Sequence, residues 1–221
     1  MVESFLISSL RSPSMTIPQF THQLAAASPP QNCVNPYEYE RPFTAARRHN
    51  LQTYLELMVQ QQPKLLLVAE APGYRGCRLT GIPFASPHIL AGLGKRLQQT
   101  TDPFQPAAEW PHIQREASAT IVWRTVGSWQ PFPLLWNVFP FHPHQPGKPQ
   151  SNRTPISGEI ELGRPFLTHL HHLFPRTKLV AVGKKAANAL AKWEMAFTAV
   201  RHPSHGGAKQ FQAALQKLNA A

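Results

Sequence analysis

Glu70 closes an apolar run, Leu65-Leu66-Leu67-Val68-Ala69, and is followed at once by Ala71-Pro72-Gly73. Such a run suits a buried parallel strand, and ligands of open α/β sheets bind beyond the carboxyl ends of strands. A carboxylate there stands where base chemistry belongs, although the same residue also serves as a helix cap or a surface charge. Asn137 ends a second run, Leu134-Leu135-Trp136. Asparagine is depleted in strands, and its paired donor and acceptor match the edge of a nucleobase. Its bland alternative is to tie down the next loop. Phe84 lies between Pro83 and Ala85-Ser86, which hold its ring in a stiff loop, as a stacking face or as a core plug. Gly183 leads into Lys184 and Lys185, a helix start able to receive a phosphate, where solvated lysines are nonetheless the commoner case. His142 and His144 flank Pro143, and His169, His171 and His172 cluster further on. Imidazoles so spaced admit a metal hydrolase, against the commoner solvated or core histidine.

The elements that must carry these residues follow from hydrophobic period and punctuation. Leu51, Leu55 and Met58 predict a helix within 42–62, stopped by Pro63. Strands are predicted at 65–69, 134–138, 178–183 and 198–200. Helices are predicted at 87–98, entered through Ser86 and Pro87, and at 157–173, 184–193 and 208–218. Residues 100–131 read as an irregular insertion with a strand or hairpin at 120–126, and no chemistry is placed there. Residues 1–35, rich in Ser, Pro and Gln, read as a poorly ordered tail, with Met15 as an alternative start, ahead of one α/β domain at 36–221. Strands separated by helices give a mostly parallel sheet covered on both faces.

Lys and Arg number 22 against 11 Asp and Glu, a net charge of +11 over 221 residues. That surplus favours a polyanion, nucleic acid first and an anionic membrane surface second. No apolar run approaches a membrane span, and Phe5-Leu6-Ile7 is too short for a signal core. The two cysteines, Cys33 and Cys77, form no CxxC and cannot supply four thiolates to zinc or an iron–sulfur cluster within one chain. A reduced, cytoplasmic protein is expected.

Three segments in order and spacing resemble the uracil-DNA glycosylase superfamily over about residues 40–221. They are Ala69-Glu70-Ala71-Pro72-Gly73 with Gly81-Ile82-Pro83-Phe84, Trp136-Asn137 at a strand end, and His202-Pro203-Ser204. The first and last look closest to the bacterial and archaeal branch with Glu in its first motif. The resemblance implies an α/β/α sandwich around a four-stranded parallel sheet. It also implies hydrolysis of the N-glycosidic bond of uracil, or a related deaminated base, leaving an abasic site without a cofactor. Glu70 would orient or deprotonate water, and His202 would donate to the departing base. Gly73, Tyr74, Phe84 and Asn137 would hold a flipped base. Ser86, Pro203, Ser204, His205, Gly206 and Lys184 would meet DNA, with His205 as the wedge. The implied partner is single- or double-stranded DNA, met by a monomer and away from any membrane. The chain departs from its relatives in lacking the cluster cysteines of that branch. It also has Ala71 where the best-known branch has Asp, and Gly73 where that branch has a thymine-excluding Tyr. A non-catalytic binder of damaged DNA and a histidine-based metal hydrolase are the competing readings.

Overall fold

All five residues of Leu65–Ala69 are buried, as an apolar run without polar alternation requires of a strand covered on both faces. The computed structural model describes residues 15–107 and 109–220. In chain order its elements are α1 (Ile17–Ala26), β1 (Cys33–Val34), α2 (Thr44–Gln61), β2 (Leu65–Ala69), α3 (Cys77–Thr80), α4 (Pro87–Leu90), α5 (Leu93–Arg96), α6 (Ala117–Val126), β3 (Leu134–Asn137), β4 (His142–Pro143), α7 (Ser157–Leu173), β5 (Lys178–Val182), α8 (Lys184–Lys192), β6 (Phe197–Val200) and α9 (Ala208–Ala220).

The main sheet runs β3-β2-β5-β6 and every pairing in it is parallel. Helices cover both faces, giving the three-layer architecture. Ala69 pairs with Asn137, and Val182 with Val200. The residues that follow β2, β5 and β6 therefore emerge at one edge, beside the end of β3. Gly163 lets α7 approach this edge closely, because a methyl group there would overlap the Val138 carbonyl oxygen. One continuous apolar core runs from Phe20 to Leu215.

Three expectations need correction. The stretch read as a tail contains α1, whose Phe20 and Leu24 are fully buried; residues 1–14 of that stretch lie outside the described residues. Its polar composition hid a capping box in which Gln19 N–H donates to Thr16 Oγ1 (3.4 Å) and Thr16 N–H to Gln19 Oε1 (2.8 Å). The helix expected over 87–98 is two short pieces, α4 and α5, separated at Ala91-Gly92. Glycine is a weak helix former, and the pieces reorient to bury Leu90, Leu93 and Leu97. The strand expected at 120–126 is part of helix α6. Ala119, Val122, Trp123 and Val126 are buried at helical spacing, and that period overrides the strand propensity of Thr120-Ile121-Val122. Thr120 and Thr125 donate their hydroxyls to the carbonyls four residues back, at 3.0 and 2.8 Å.

Candidate active site

At the carboxyl edge of the sheet a small cavity is lined by Glu70, Ala71, Pro72 and Gly73 after β2, and by Asn137 at the end of β3. Cys77, Phe84, Glu116, Ser118 and His202 complete the wall. Five residues singled out by sequence, Glu70, Gly73, Phe84, Asn137 and His202, are thus brought together. A larger hollow of about 360 Å³ lies around Leu79, Leu90, Phe104 and Trp110. Its walls are mainly apolar and include none of the site residues expected from sequence, whereas the smaller one, at about 60 Å³, joins two carboxyls, an amide and an imidazole.

Each wall group is set by local structure. The Glu70 carbonyl accepts the Phe139 N–H at 3.1 Å, which fixes the backbone at the turn out of β2. Burial raises the Glu70 pKa above the usual carboxylate range, while the Thr154 hydroxyl and the Lys185 ammonium pull it back. Asn137 is buried, yet among the described residues its amide makes no side-chain hydrogen bond, so it does not tie down the next loop. Phe84 sits in the left-handed region at φ 56°, unusual for a bulky residue. Its carbonyl accepts the Trp123 indole N–H at 3.0 Å, and Trp123 stacks on Phe132. A ring in a strained loop is thereby fixed from α6, with one side in the core and another on the cavity.

His202 is placed by β6 and packs against Gly183, whose φ of 90° suits glycine. The Ser204 backbone N–H donates to His202 Nδ1 at 3.2 Å, and Ser204 Oγ lies 2.6 Å from the same nitrogen. A backbone N–H can only donate, so Nδ1 carries the lone pair and Nε2 the proton. Burial, with His205 nearby, lowers the His202 pKa and favours the neutral ring.

Other expected residues fall elsewhere. Tyr74 does not line the cavity; its backbone N–H donates to Asn152 Oδ1 at 2.9 Å and its ring packs on Trp110. Ser86 and Pro203 are buried, so as placed they offer no surface to a DNA strand; the Ser86 carbonyl accepts the Ile89 and Leu90 N–H groups at 2.8 and 2.9 Å as α4 begins, and Pro203 lies within the turn closed by the Ser204 N–H on His202. His205, Gly206 and Lys184 are exposed, and Ser204 is half-buried. Lys185, next to Lys184, is the lysine whose charge reaches Glu70.

Sequence reasoning missed Glu116 and Ser118, which enter from the segment read as an irregular insertion. Glu116 stands at the N-terminus of α6, and burial pushes its carboxyl up to about 7. Cys77 also lines the cavity, but burial pushes its thiol up to about 12 and leaves it a neutral wall group. The histidines do not gather for a metal. His142 Nδ1 faces the Pro72 carbonyl at 2.8 Å and Nε2 the Pro149 carbonyl at 3.3 Å, and burial lowers its pKa to about 4. It braces the loop after Glu70. Among the described residues no three His, Cys, Asp or Glu side chains are grouped to hold an ion.

The family model described as the uracil DNA glycosylase superfamily matches residues 58–220. The chain belongs to that superfamily. The match spans β2 through α9 and so includes every cavity residue named above. The crystal structure of wild-type SMUG2 from Pedobacter heparinus is similar with a TM-score of 0.63 and 16% identity, over 92% of this chain and 96% of that one. At that identity the likeness concerns the superfamily fold. No curated protein matches the chain. Among the described residues no helix is long and apolar enough to cross a membrane.

Proposed function

We propose that the protein is a DNA glycosylase that hydrolyses the N-glycosidic bond of uracil, or a related deaminated base, and leaves an abasic site. The observation that carries this reading is the meeting of Glu70, Phe84, Asn137 and His202 in one cavity of a superfamily member. A base in a duplex is out of reach, so the nucleotide is flipped or taken from a single strand. Phe84 stacks on the base, a contact worth about 1–3 kcal/mol on comparable aromatic platforms. The free amide of Asn137 pairs with the base edge and favours uracil over cytosine, whose donor and acceptor pattern is reversed.

As the C1′–N bond breaks, its electron pair leaves with the base and positive charge develops on the sugar. The neutral His202 donates its Nε2 proton in a hydrogen bond to the charge gathering on the base, as an oxyanion-hole donor does. The Glu70 carboxylate stabilises the cationic sugar and takes a proton from water as the water oxygen bonds to C1′. Outside the pocket, Ser204, His205 and Gly206 face the strand, Lys184 and Lys185 add positive charge, and His205 fills the vacated stack.

The test is a single-turnover assay in EDTA on single-stranded, U·G and U·A oligonucleotides, read by alkaline cleavage. Cleavage at uracil that is lost in Glu70→Ala and Asn137→Ala supports the reading. Lesion binding without an abasic product, on uracil and on hypoxanthine alike, replaces it with a damaged-base binder.

A further inference from the structure

Glu116 has no part in the chemistry described so far, although it lines the same cavity. Its two carboxyl oxygens fill the space that side chains at two glycines would take. A methyl group on Gly73 would overlap Oε1, and one on Gly76 would overlap Oε2. The acid is therefore clasped between two backbone segments of the loop after β2. Among the described residues its carboxyl forms no ion pair or hydrogen bond, and its perturbation comes from burial alone. A half-buried carboxyl that lines a cavity and has no protein partner is free to meet a ligand there.

We propose that Glu116 is a base-contacting residue, a hydrogen-bond donor that walls the pocket where position 73 has no side chain. The assignment rests on the glycosylase reading and adds to it a second acid with a different task. The two carboxyls of the cavity differ in their surroundings. Glu70 has Lys185 and Thr154 to hold its charge, whereas Glu116 has neither. Environments that separate two acids in this way divide their roles, the supported one ionised and the unsupported one protonated. The other titratable groups lining the cavity are Cys77 at the start of α3, Glu70 after β2 and His202 after β6; in the clasping loop Tyr74 packs on Trp110 and Arg75 lies exposed over the Tyr74 ring, and Arg115, beside Glu116 in sequence, is exposed. None of these supplies a cation that would ionise Glu116 below neutral pH. Protonated, it presents an O–H to an acceptor on the flipped base and keeps that proton throughout. Ionised, it presents only lone pairs and a negative charge to a base that is gaining one.

The experiment compares wild type, E116A and E116Q in single-turnover excision from a uracil oligonucleotide between pH 5 and 9, with melting temperatures as a folding control. The wild-type rate is expected to fall as pH rises through about 7. E116A is expected to lose about a hundredfold at pH 6. E116Q, whose amide still donates, is expected to restore most of that loss and to abolish the alkaline fall. A folded E116A at the wild-type rate overturns the assignment. So does an alkaline fall that persists in E116Q, which would make the residue structural. Wild-type protein inactive on every lesion overturns the glycosylase reading itself, and this assignment with it; active wild type with unaltered variants overturns this assignment alone.

Discussion

The backbone N–H of Ser204 donates to Nδ1 of His202, 3.2 Å away, and this contact leaves Nε2 as the ring nitrogen able to donate. The proton is expected on Nε2 at pH 7, visible as that tautomer in nitrogen–proton correlation spectra. His202→Ala removes the donor and should slow the chemical step by about 10²–10³-fold in single-turnover measurements. Ser204→Ala keeps the backbone contact, so the tautomer should survive and the rate fall by less than about tenfold.

Lys185 holds down a pKa that burial of Glu70 raises. Glu70 acts as a carboxylate, so activity should rise with pH through its elevated pKa. Lys185→Ala removes the opposing charge and should move that acidic limb to higher pH, whatever it does to DNA affinity. A pH–rate profile of the variant checks the direction of the move.

Position 73 and Glu116 compete for one space. Gly73→Ala should push the carboxyl out of the pocket and reproduce most of the loss seen in E116A. The double variant should then be scarcely worse than either single one, a coupling that a double-mutant cycle on excision rates reads directly.

Glu116 also ties stability to pH. In the folded chain its carboxyl sits at about 7 against the ordinary 4.5, so folding tightens its hold on the proton. The stabilising contribution is full below about pH 4.5 and is lost as pH rises through about 7. Urea titrations at pH 5 and 8 should show wild type losing more stability across that window than E116Q.

Behind Cys77, Arg47 and Arg78 share the carboxylate of Glu109, the Arg78 contact at 2.8 Å, and both guanidinium groups are buried. Glu109→Ala leaves two buried cations without their anion and should destabilise the fold by about 3–5 kcal/mol in chemical denaturation.

The sheet was legible because each of its strands is an apolar run with a breaker at its end, and Glu70 and Asn137 are the polar residues at two such ends. His202 followed from its motif. The residues that sequence did not reveal are those whose placement depends on a long-range approach. Glu116 opens a helix whose β-branched residues mimic a strand, and nothing local joins it to Gly73 across some forty intervening positions. Tyr74 follows Gly73 in the chain yet turns to Trp110, because adjacency in an irregular loop does not fix side-chain direction. Ser86 carried a helix-start signal that is real, but its hydroxyl is buried without a partner. α1 was hidden by composition: Pro18 and the polar residues around it conceal the two apolar side chains that dock it.

One short helix, α6, makes no hydrogen-bonded pairing with the sheet, yet its N-terminus presents Glu116 and its body holds Trp123 on the Phe84 carbonyl. The second acid and the indole that braces the stacking ring are therefore inherited together. Recombination that exchanged this single segment would hand over both at once and leave the strands, Glu70 and Asn137 untouched. Novelty in the choice of base can thus arise here without rebuilding the scaffold.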